Sequence, residues 1–147
     1  MTDSDTSDQR TVAPPEIGPD DPLVVDDERF VAENVCLVTG AASGIGRAVA
    51  LVAAANGLTV VGGDMDEEGL AATGDRIAEL GFEGAFHGVE ADLTDDDDIE
   101  RLVETAGDHG RVTFLANVAG LQRVAPVDSF PMDAYDRLQA VMVRAPT

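Results

Sequence analysis

The chain has 147 residues and a net charge of −20, with 29 acidic residues, nine arginines and no lysine. This length allows one domain at most, and an apolar content of 44% is enough for a packed core. The charge argues against nucleic acid or an anionic membrane surface as a partner, and no apolar run is long enough to span a membrane.

The acidic residues are spread along the chain, which predicts adaptation to concentrated salt. The N-terminus is acidic and lacks an apolar signal region, so we expect a soluble, cytoplasmic protein. Residues 1–30 are rich in Asp, Ser, Thr and Pro and lack periodicity, which predicts a mobile acidic arm. Part of this arm is expected to be ordered by the packing of four apolar residues: Leu23, Val24, Val25 and Phe30.

From residue 35 onwards, short apolar strands alternate with amphipathic helices. Such alternation predicts an α/β fold in which helices cover a doubly wound, Rossmann-like parallel sheet. Right-handed crossovers place the strands in the order 3-2-1-4, the first half of such a sheet, and leave the fourth strand at an open edge. The predicted strands span 35–38, 58–62, 85–90 and 112–116, and the predicted helices span 47–54, 66–80, 95–106 and 132 or 133 toward 143.

The second and third helices carry recognisable start signals. Asp66 and Thr94 are the candidate N-caps, and the four aspartates 95–98 place negative charge in the first turn of the third helix, where it is favourable. The third helix also has an apolar stripe at helical spacing. We expect this stripe to face the sheet: Ile99, Leu102, Val103 and Ala106.

A glycine-rich turn joins the first strand to the first helix. Gly40, Gly44 and Gly46 follow the strand in the spacing T-G-x-x-x-G-x-G. A strand that enters a helix through glycines lets backbone N–H groups approach an anion, and the helix N-terminus stabilises a pyrophosphate there. Three glycines alone are a weak signal, and the alternative is a tight turn that binds nothing.

This turn resembles that of the short-chain dehydrogenase/reductase family, which is matched at Thr39, Gly40, Gly44, Ile45 and Gly46. The resemblance implies an NAD-dependent oxidoreductase that transfers hydride between nicotinamide and a small secondary alcohol or ketone. It covers residues 35–147 and only the cofactor-binding half of the family's fold. Residues 31–147 are therefore expected to form an NAD-binding domain truncated before the catalytic half, with homo-oligomers only in a full-length form.

Two acidic positions extend the resemblance. Asp64 follows the second strand, where a carboxylate accepts hydrogen bonds from the adenosine ribose hydroxyls and repels a 2′-phosphate, which favours NAD over NADP. Asp92 and Leu93 follow the third strand and match a family pair that contacts the adenine ring. The alternatives are a solvated surface acid for Asp64 and a helix-flanking acid for Asp92.

The end of the fourth strand resembles the family's N-N-A-G motif. Asn117, Ala119 and Gly120 match it, and Val118 replaces the second asparagine. Asn117 is expected to tie the strand end to its neighbour, and the small residues would let the nicotinamide ribose lie against the backbone. The resemblance as a whole implies that NAD is held by Gly40, Ser43, Gly44, Ile45, Gly46, Asp64, Asp92, Leu93, Asn117, Ala119 and Gly120.

The loop that follows is similar to that of the D-3-hydroxybutyrate dehydrogenase branch. The resemblance assigns Gln122 to the substrate carboxylate, and Arg123, which replaces a histidine, offers two further donors. The alternative is an ordinary polar loop.

The family's proton-transfer residues are missing. They are a Ser, a Tyr and a Lys with Y-x-x-x-K spacing, assisted by an Asn, and this chain contains no lysine. Its only tyrosine, Tyr135, is interpreted as a packing residue, and Met142 falls where the family has its Asn. No catalytic residue is assigned, and the chain alone is expected to be inactive. The alternative is a catalytically inactive nucleotide-binding half-domain or a decayed gene product.

The remaining reactive side chains predict no further chemistry. Cys36, the only cysteine, is expected to be a small buried side chain in the first strand. His87 and His109 lack partners at metal-ligand spacing, so they are interpreted as surface or structural residues and no metal site is expected.

Overall fold

Strands and helices alternate along the chain in a computed structural model that describes residues 17–147. The strands are β1 Asn34–Thr39, β2 Thr59–Asp64, β3 Phe86–Glu90 and β4 Arg111–Asn117. The α-helices are α1 Gly44–Ala55, α2 Glu67–Leu80, α3 Asp96–His109 and α4 Met132–Gln139. A 3₁₀ turn, Val127–Ser129, precedes α4, and a π-helical turn, Ala140–Arg144, follows it. No helix within residues 17–147 has both the length and the apolar character of a membrane span.

The four strands form one parallel sheet in the order β3-β2-β1-β4, which confirms the predicted fold and strand order. β1 lies in the middle, with Val35 opposite Thr59 of β2 and Leu37 opposite Leu115 of β4. Five of its six residues are buried, because helices cover both faces of the sheet. All four strands therefore end at the same edge of the sheet, where the loops that could bind a ligand meet.

Each face of the sheet has its own apolar core. The core on the side of α1 and α2 includes Cys36, Val38, Ala50, Ala54, Val60, Leu70 and Ile77. The core on the side of α3 includes Val35, Leu37, Val61, Leu102 and Ala106. Cys36 is buried as predicted, and burial raises the pKa of its thiol to about 11, which keeps the thiol protonated and unreactive at neutral pH.

The start of α2 agrees with the sequence prediction, but the start of α3 does not. Asp66 caps α2 by accepting a hydrogen bond from the N–H of Gly69 at 3.0 Å. The N-cap of α3 is Asp95, which accepts from the N–H of Asp97 at 2.9 Å, so the assignment of Thr94 was wrong. Thr94 instead donates its N–H and its hydroxyl to Oδ1 of Asp92, and this tight turn moves the helix start forward.

The predicted apolar stripe of α3 is only partly buried. Leu102 and Ala106 are buried against the sheet and Ile99 is half-buried, but Val103 is 51% exposed. The expectation for Val103 was wrong because, within the described residues, no element covers that flank of the helix.

The segment before β1 is held by hydrogen bonds to its backbone and by the packing of Ile17 and Phe30. Three of the four residues predicted to pack on the domain are exposed: Leu23, Val24 and Val25. The side chain of Asn56 accepts from the N–H of Val25 at 2.8 Å and donates to the carbonyl of Leu23 at 2.9 Å. Phe30 packs as predicted, with its ring 5.4 Å from that of Phe114. The first half of the predicted arm, residues 1–16, lies outside the described residues.

The outer edge of β4 is open, as expected for the first half of a doubly wound sheet. Within residues 17–147 no strand pairs with this edge. Val112 and Leu115 of β4 are exposed there, and this leaves apolar side chains and unpaired backbone groups at the same place.

The two histidines contact each other. The rings of His87 on β3 and His109 at the end of α3 stack with their centroids 3.5 Å apart. Partial burial and the nearby His109 lower the pKa of His87, so the ring of His87 favours the neutral state near neutral pH. The pair is a packing contact between a strand and a helix end, as the structural interpretation of both residues expects.

The net charge of −20 leads to a prediction about salt. Electrostatic repulsion acts over a Debye length of about 30 Å at 0.01 M salt but only about 3 Å at 1 M. We therefore expect circular dichroism to show loss of helix when the chain is moved from molar to millimolar salt. The four aspartates at the start of α3 add to this repulsion locally. An unchanged spectrum would contradict an electrostatic origin. The same would follow if sucrose restored the lost helix signal as well as salt does.

Candidate functional site

A pocket of about 400 Å³ lies at the carboxyl edge of the sheet, within the range of small-ligand sites. It is formed by the loops that follow all four strands, together with α4 and the π-helical turn. Its lining residues are Gly40, Ser43, Gly44, Ile45, Gly46, Gly63, Asp64, Met65, Ala91, Asp92, Leu93, Val118, Ala119, Gly120, Leu121, Arg137 and Val141. All of the residues expected to hold NAD are among them except Asn117.

The glycines of the first loop are required by close approaches of the backbone. Gly40 has φ +74°, and a β-carbon on it would lie 2.9 Å from the backbone of Ala119, so the loops after β1 and β4 touch here. A β-carbon on Gly46 would collide with the carbonyl oxygen of Gly40. Gly44, in contrast, faces open space and needs glycine only for its φ of +52°. The three positions thus require glycine for different reasons. The close approaches at Gly40 and Gly46 set the shape of the pocket floor.

The N-terminus of α1 differs from those of α2 and α3. Ser43 is its N-cap residue, but the side chain makes no capping hydrogen bond, and the first turn contains no acidic residue. α2 and α3 are each capped by an aspartate and carry two and three acidic residues in their first turns. Among the three longest helices of residues 17–147, α1 alone has an N-terminus without an acidic cap or an acidic first turn, and this N-terminus faces the pocket.

A buried polar contact between α1 and α2 also holds the glycine-rich loop. The hydroxyl of Thr73 on α2 is buried, within 2.9 Å of the carbonyl of Ala41 and 3.0 Å of that of Gly69. Arg47 donates to this hydroxyl at 2.9 Å and also to the carbonyl of Ala42. No local sequence pattern predicts this pair, because residues 26 positions apart meet only when α1 and α2 pack together.

Asp64 lies at the end of β2 with its carboxylate fixed by two backbone groups. Oδ2 accepts from the N–H of Ala42 at 3.1 Å, and Oδ1 accepts from the N–H of Asp66 at 3.1 Å. Each oxygen keeps a second lone pair, so the carboxylate can accept further hydrogen bonds on its pocket side. The structure therefore places a fixed negative charge at one end of the pocket.

Asp92 has a structural contact as well as a place in the pocket wall. Hydrogen bonds from the N–H and the hydroxyl of Thr94 lower the pKa of this carboxyl, and the positive charge of Arg137 acts in the same direction. Leu93 beside it is buried and adds an apolar surface. Both interpretations weighed for Asp92 therefore have a basis, because it flanks α3 and also lines the pocket.

The end of β4 is tied to β1 by Thr39, a residue for which the sequence analysis predicts no such role. The hydroxyl of Thr39 accepts from the N–H groups of Val118 and Ala119 at 3.1 and 3.2 Å. Asn117, expected to make this tie, is exposed on the edge strand and makes no side-chain hydrogen bond within residues 17–147. The side-chain tie is therefore made by Thr39, and Asn117 pairs with β1 only through its backbone.

The other residues singled out by the resemblance lie outside the pocket wall. Gln122 and Arg123 are exposed on the loop that leaves the pocket after Leu121. Tyr135 is 45% exposed, so its interpretation as a packing residue was wrong. Met142 follows the buried Val141 in the π-helical turn and lies close to Gly120.

Some lining residues were missed. Met65 and Ala91 are direct neighbours of Asp64 and Asp92, so adjacency was the available signal. Gly63 has no room for a side chain, since its β-carbon would lie 2.5 Å from Leu102. Arg137 and Val141 reach the pocket from the last helical segment, and nothing in their local sequence indicates it.

Comparison with known families supports the interpretation of this geometry. The family model described as short chain dehydrogenase matches residues 34–147. The chain belongs to the short-chain dehydrogenase family. It is 36% identical over 115 residues to an uncharacterized oxidoreductase of Bacillus subtilis, covering 78% of this chain and 44% of that protein. The chain thus spans less than half the length of this relative.

Solved structures place the fold in the same family. A short chain dehydrogenase from Mycobacterium smegmatis superposes with a TM-score of 0.73 and 33% identity, over 85% of this chain and 52% of that one. A blue fluorescent protein from a metagenomic library, solved in complex with NADPH, superposes with a TM-score of 0.72 and 27% identity, over 81% of this chain and 49% of that one.

The curated relatives of this short-chain dehydrogenase differ in what their names say they act on. A D-threitol dehydrogenase of Mycolicibacterium smegmatis is 33% identical over 81% of this chain and 45% of its own length. A D-beta-hydroxybutyrate dehydrogenase of Cupriavidus necator is 33% identical over 74% of this chain and 42% of its own length. The family is therefore established, whereas the expected 3-hydroxybutyrate branch is one of several similar branches.

Proposed function

We propose that this chain is the dinucleotide-binding part of a nicotinamide-dependent oxidoreductase, with NAD as its cofactor. The observation that carries the proposal is the open N-terminus of α1, which faces the pocket across from the fixed carboxylate of Asp64. An anion is stabilised at the N-terminus of α1 and repelled at Asp64. A pyrophosphate attached to a ribose with free hydroxyls fits both requirements.

Different residues along the pocket would hold different parts of the cofactor. The backbone of the first loop, at Ser43 and Gly44, would hold the pyrophosphate. Asp64 would accept hydrogen bonds from the adenosine ribose, and Leu93 would give the adenine an apolar surface. The backbone at Ala119 and Gly120 would support the nicotinamide ribose. When bound, NAD supplies the hydride acceptor, or in its reduced form the hydride donor.

The preference for NAD over NADP rests on Asp64. Its carboxylate is held by the N–H groups of Ala42 and Asp66, so it has no freedom to move away from a 2′-phosphate. An unmoving negative charge repels a second one at short range. Relatives in this fold include an NADPH complex, which makes the choice of cofactor a matter of this local charge rather than of the fold.

For the substrate, we propose a small secondary alcohol or ketone, with 3-hydroxybutyrate as the first compound to test. Gln122 and Arg123 support this choice, because both are exposed donors on the loop that begins at the nicotinamide end of the pocket. An amide and a guanidinium are suited to a carboxylate.

A second candidate is a nucleotide-binding half-domain without catalysis. It is favoured by Met142, whose thioether lies near Gly120, where the family would have an amide, and by the absence of lysine from the chain. A thioether is a weak acceptor and no donor, so it cannot position a water molecule as an amide does.

Titration with NAD in molar salt tests the proposal directly. We expect saturable binding, and weaker binding of NADP to the same site. A chain that is folded by circular dichroism and binds neither dinucleotide would exclude both candidates.

Turnover by the chain itself would exclude the second candidate. We expect no reduction of NAD with 3-hydroxybutyrate by purified residues 1–147, because the sequence offers no residue for the proton transfer. The measurement is the absorbance of NADH over hours, with a full-length short-chain dehydrogenase as the positive control. Reproducible turnover that follows the 147-residue chain through purification would contradict this expectation.

A further inference from the structure

Arg137 on α4 is the single positive charge among the residues that line the pocket, all of which lie within the described part of the chain. Its Nη2 atom lies 3.9 Å from the sulfur of Met65, the residue that follows Asp64 at the end of β2. The guanidinium therefore reaches from the last helix to the loop after β2. Arg137 and Met65 are 72 residues apart in sequence. No other residue of α4 lines the pocket.

The surroundings of this guanidinium differ from those of four other arginines. Arg29, Arg76, Arg101 and Arg144 each form an ion pair with a carboxylate. Arg137 forms none with any residue of 17–147, although this stretch is strongly acidic. Arg47, Arg111 and Arg123 also form no ion pair within this stretch, but none of them lines the pocket. Within residues 17–147 the side chain of Arg137 makes a single hydrogen bond, a weak one to the thioether of Met65. A cation at a pocket wall without a carboxylate partner is available for a ligand.

The neighbours of Arg137 show which end of the pocket it serves. Its charge is among the causes that lower the pKa of Asp92, so it lies within electrostatic reach of the loop after β3. Arg137, the thioether of Met65 and the buried side chain of Leu93 all line the same pocket. Apolar side chains and a planar cation in one pocket suit a flat aromatic group.

We infer that Arg137 is a further cofactor-binding residue, whose guanidinium packs against the adenine ring of the dinucleotide. This inference rests on the proposed function, since it needs a bound adenine nucleotide. A guanidinium stacks on aromatic faces through its plane and its charge, and it is more weakly hydrated than an ammonium group. Its charge also offsets part of the repulsion between the phosphates and an acidic protein.

The contact has a consequence for α4. None of the residues of α4 is buried, so the helix itself has little packing that holds it against the sheet. Adenine between Arg137 and the loops after β2 and β3 would connect the helix to the sheet through the ligand. Binding of the adenine half should therefore slow hydrogen exchange of the α4 backbone, even without the nicotinamide half.

The experiment is a titration of the full 147-residue chain in molar salt with NAD, NADP and 5′-AMP. The test variant is Arg137→Gln, and the matched control is Arg111→Gln, which removes the same charge from an exposed position at the opposite end of β4. We expect Arg137→Gln to weaken NAD and 5′-AMP to the same extent, by about threefold to tenfold, while Arg111→Gln leaves both unchanged. Arg137→Lys should recover only part of the loss, because an ammonium group has no plane to stack.

The outcomes distinguish this inference from the proposed function. Wild-type chain that binds NAD, with Arg137→Gln equal to Arg111→Gln, would overturn the role of Arg137 and leave the proposed function standing. A loss for NADP much larger than for NAD would mean that Arg137 serves a 2′-phosphate, which also overturns the adenine contact. Failure of the wild-type chain to bind any of the three ligands would remove both. Slower exchange in α4 with 5′-AMP, absent in Arg137→Gln, would support the inference independently of affinity.

Discussion

Replacing Gly46 with alanine is expected to destabilise the fold and to abolish dinucleotide binding. The new β-carbon would collide with the carbonyl oxygen of Gly40 and lie 2.5 Å from its carbonyl carbon. Both are backbone atoms, and Gly40 is itself fixed by a hydrogen bond from its N–H to the carbonyl of Gly63 at 2.8 Å. The turn therefore cannot yield at low cost. We expect the free energy of unfolding to fall by about 3 kcal/mol, the upper end for an added methyl group in a packed site.

The matched control is Gly107→Ala in α3, where a β-carbon would meet no atom within 4 Å. Alanine favours the helix over glycine, so this variant should be more stable by about 0.5 to 1 kcal/mol. Urea titrations in molar salt, followed by circular dichroism, measure both changes. Equal midpoints for Gly46→Ala and the wild-type chain would show that the first loop is not as tightly packed as described.

Replacing Asp64 with asparagine is expected to weaken NAD by about tenfold to a hundredfold, the range for losing hydrogen bonds to a charged acceptor. Asparagine has nearly the same shape and keeps one oxygen for the N–H of Ala42 or Asp66, so the loop should remain folded. The affinity for NADP should fall less, or rise, because the repulsion of its 2′-phosphate is removed. The ratio of the two dissociation constants is therefore the decisive number.

The control for this variant is Asp75→Asn, which removes one negative charge from an exposed position of α2 outside the pocket. It should leave the ratio of the NAD and NADP dissociation constants unchanged. If Asp64→Asn also leaves this ratio unchanged, Asp64 does not determine the choice of cofactor.

The strand order and most of the candidate site could be predicted because local signals determine them. Short apolar runs alternate with helical stretches, and the right-handed crossover then leaves one arrangement for β1 to β4. Parallel strands bring their following loops to one edge, so residues as distant as Gly40, Asp64 and Asp92 could be expected in one pocket.

The errors arose where two residues compete or where a neighbour is needed. Thr94 and Asp95 are both good N-caps, and the choice between them depends on the turn that Asp92 makes with Thr94. Asn117 was expected to tie β4 to its neighbour, but the hydroxyl of Thr39 makes that tie. Val103 was expected to face the sheet, but it lies on an exposed flank of α3. The contacts of Arg47 with Thr73, and of Arg137 with Met65, join elements that are far apart in sequence.

The bond between Thr39 and Val118 joins residues 79 positions apart, and this has a consequence for how the molecule folds. During synthesis β1 can pair early with β2, but its other side stays open until β4 has left the ribosome. Contacts of such long range slow folding, because the chain must lose the entropy of a large loop before it gains the contact. The part of the pocket formed by Ala119 and Gly120 therefore forms later than the part formed by the loops after β1 and β2. A dinucleotide that bridges both ends would favour the closed sheet over partly folded states by mass action.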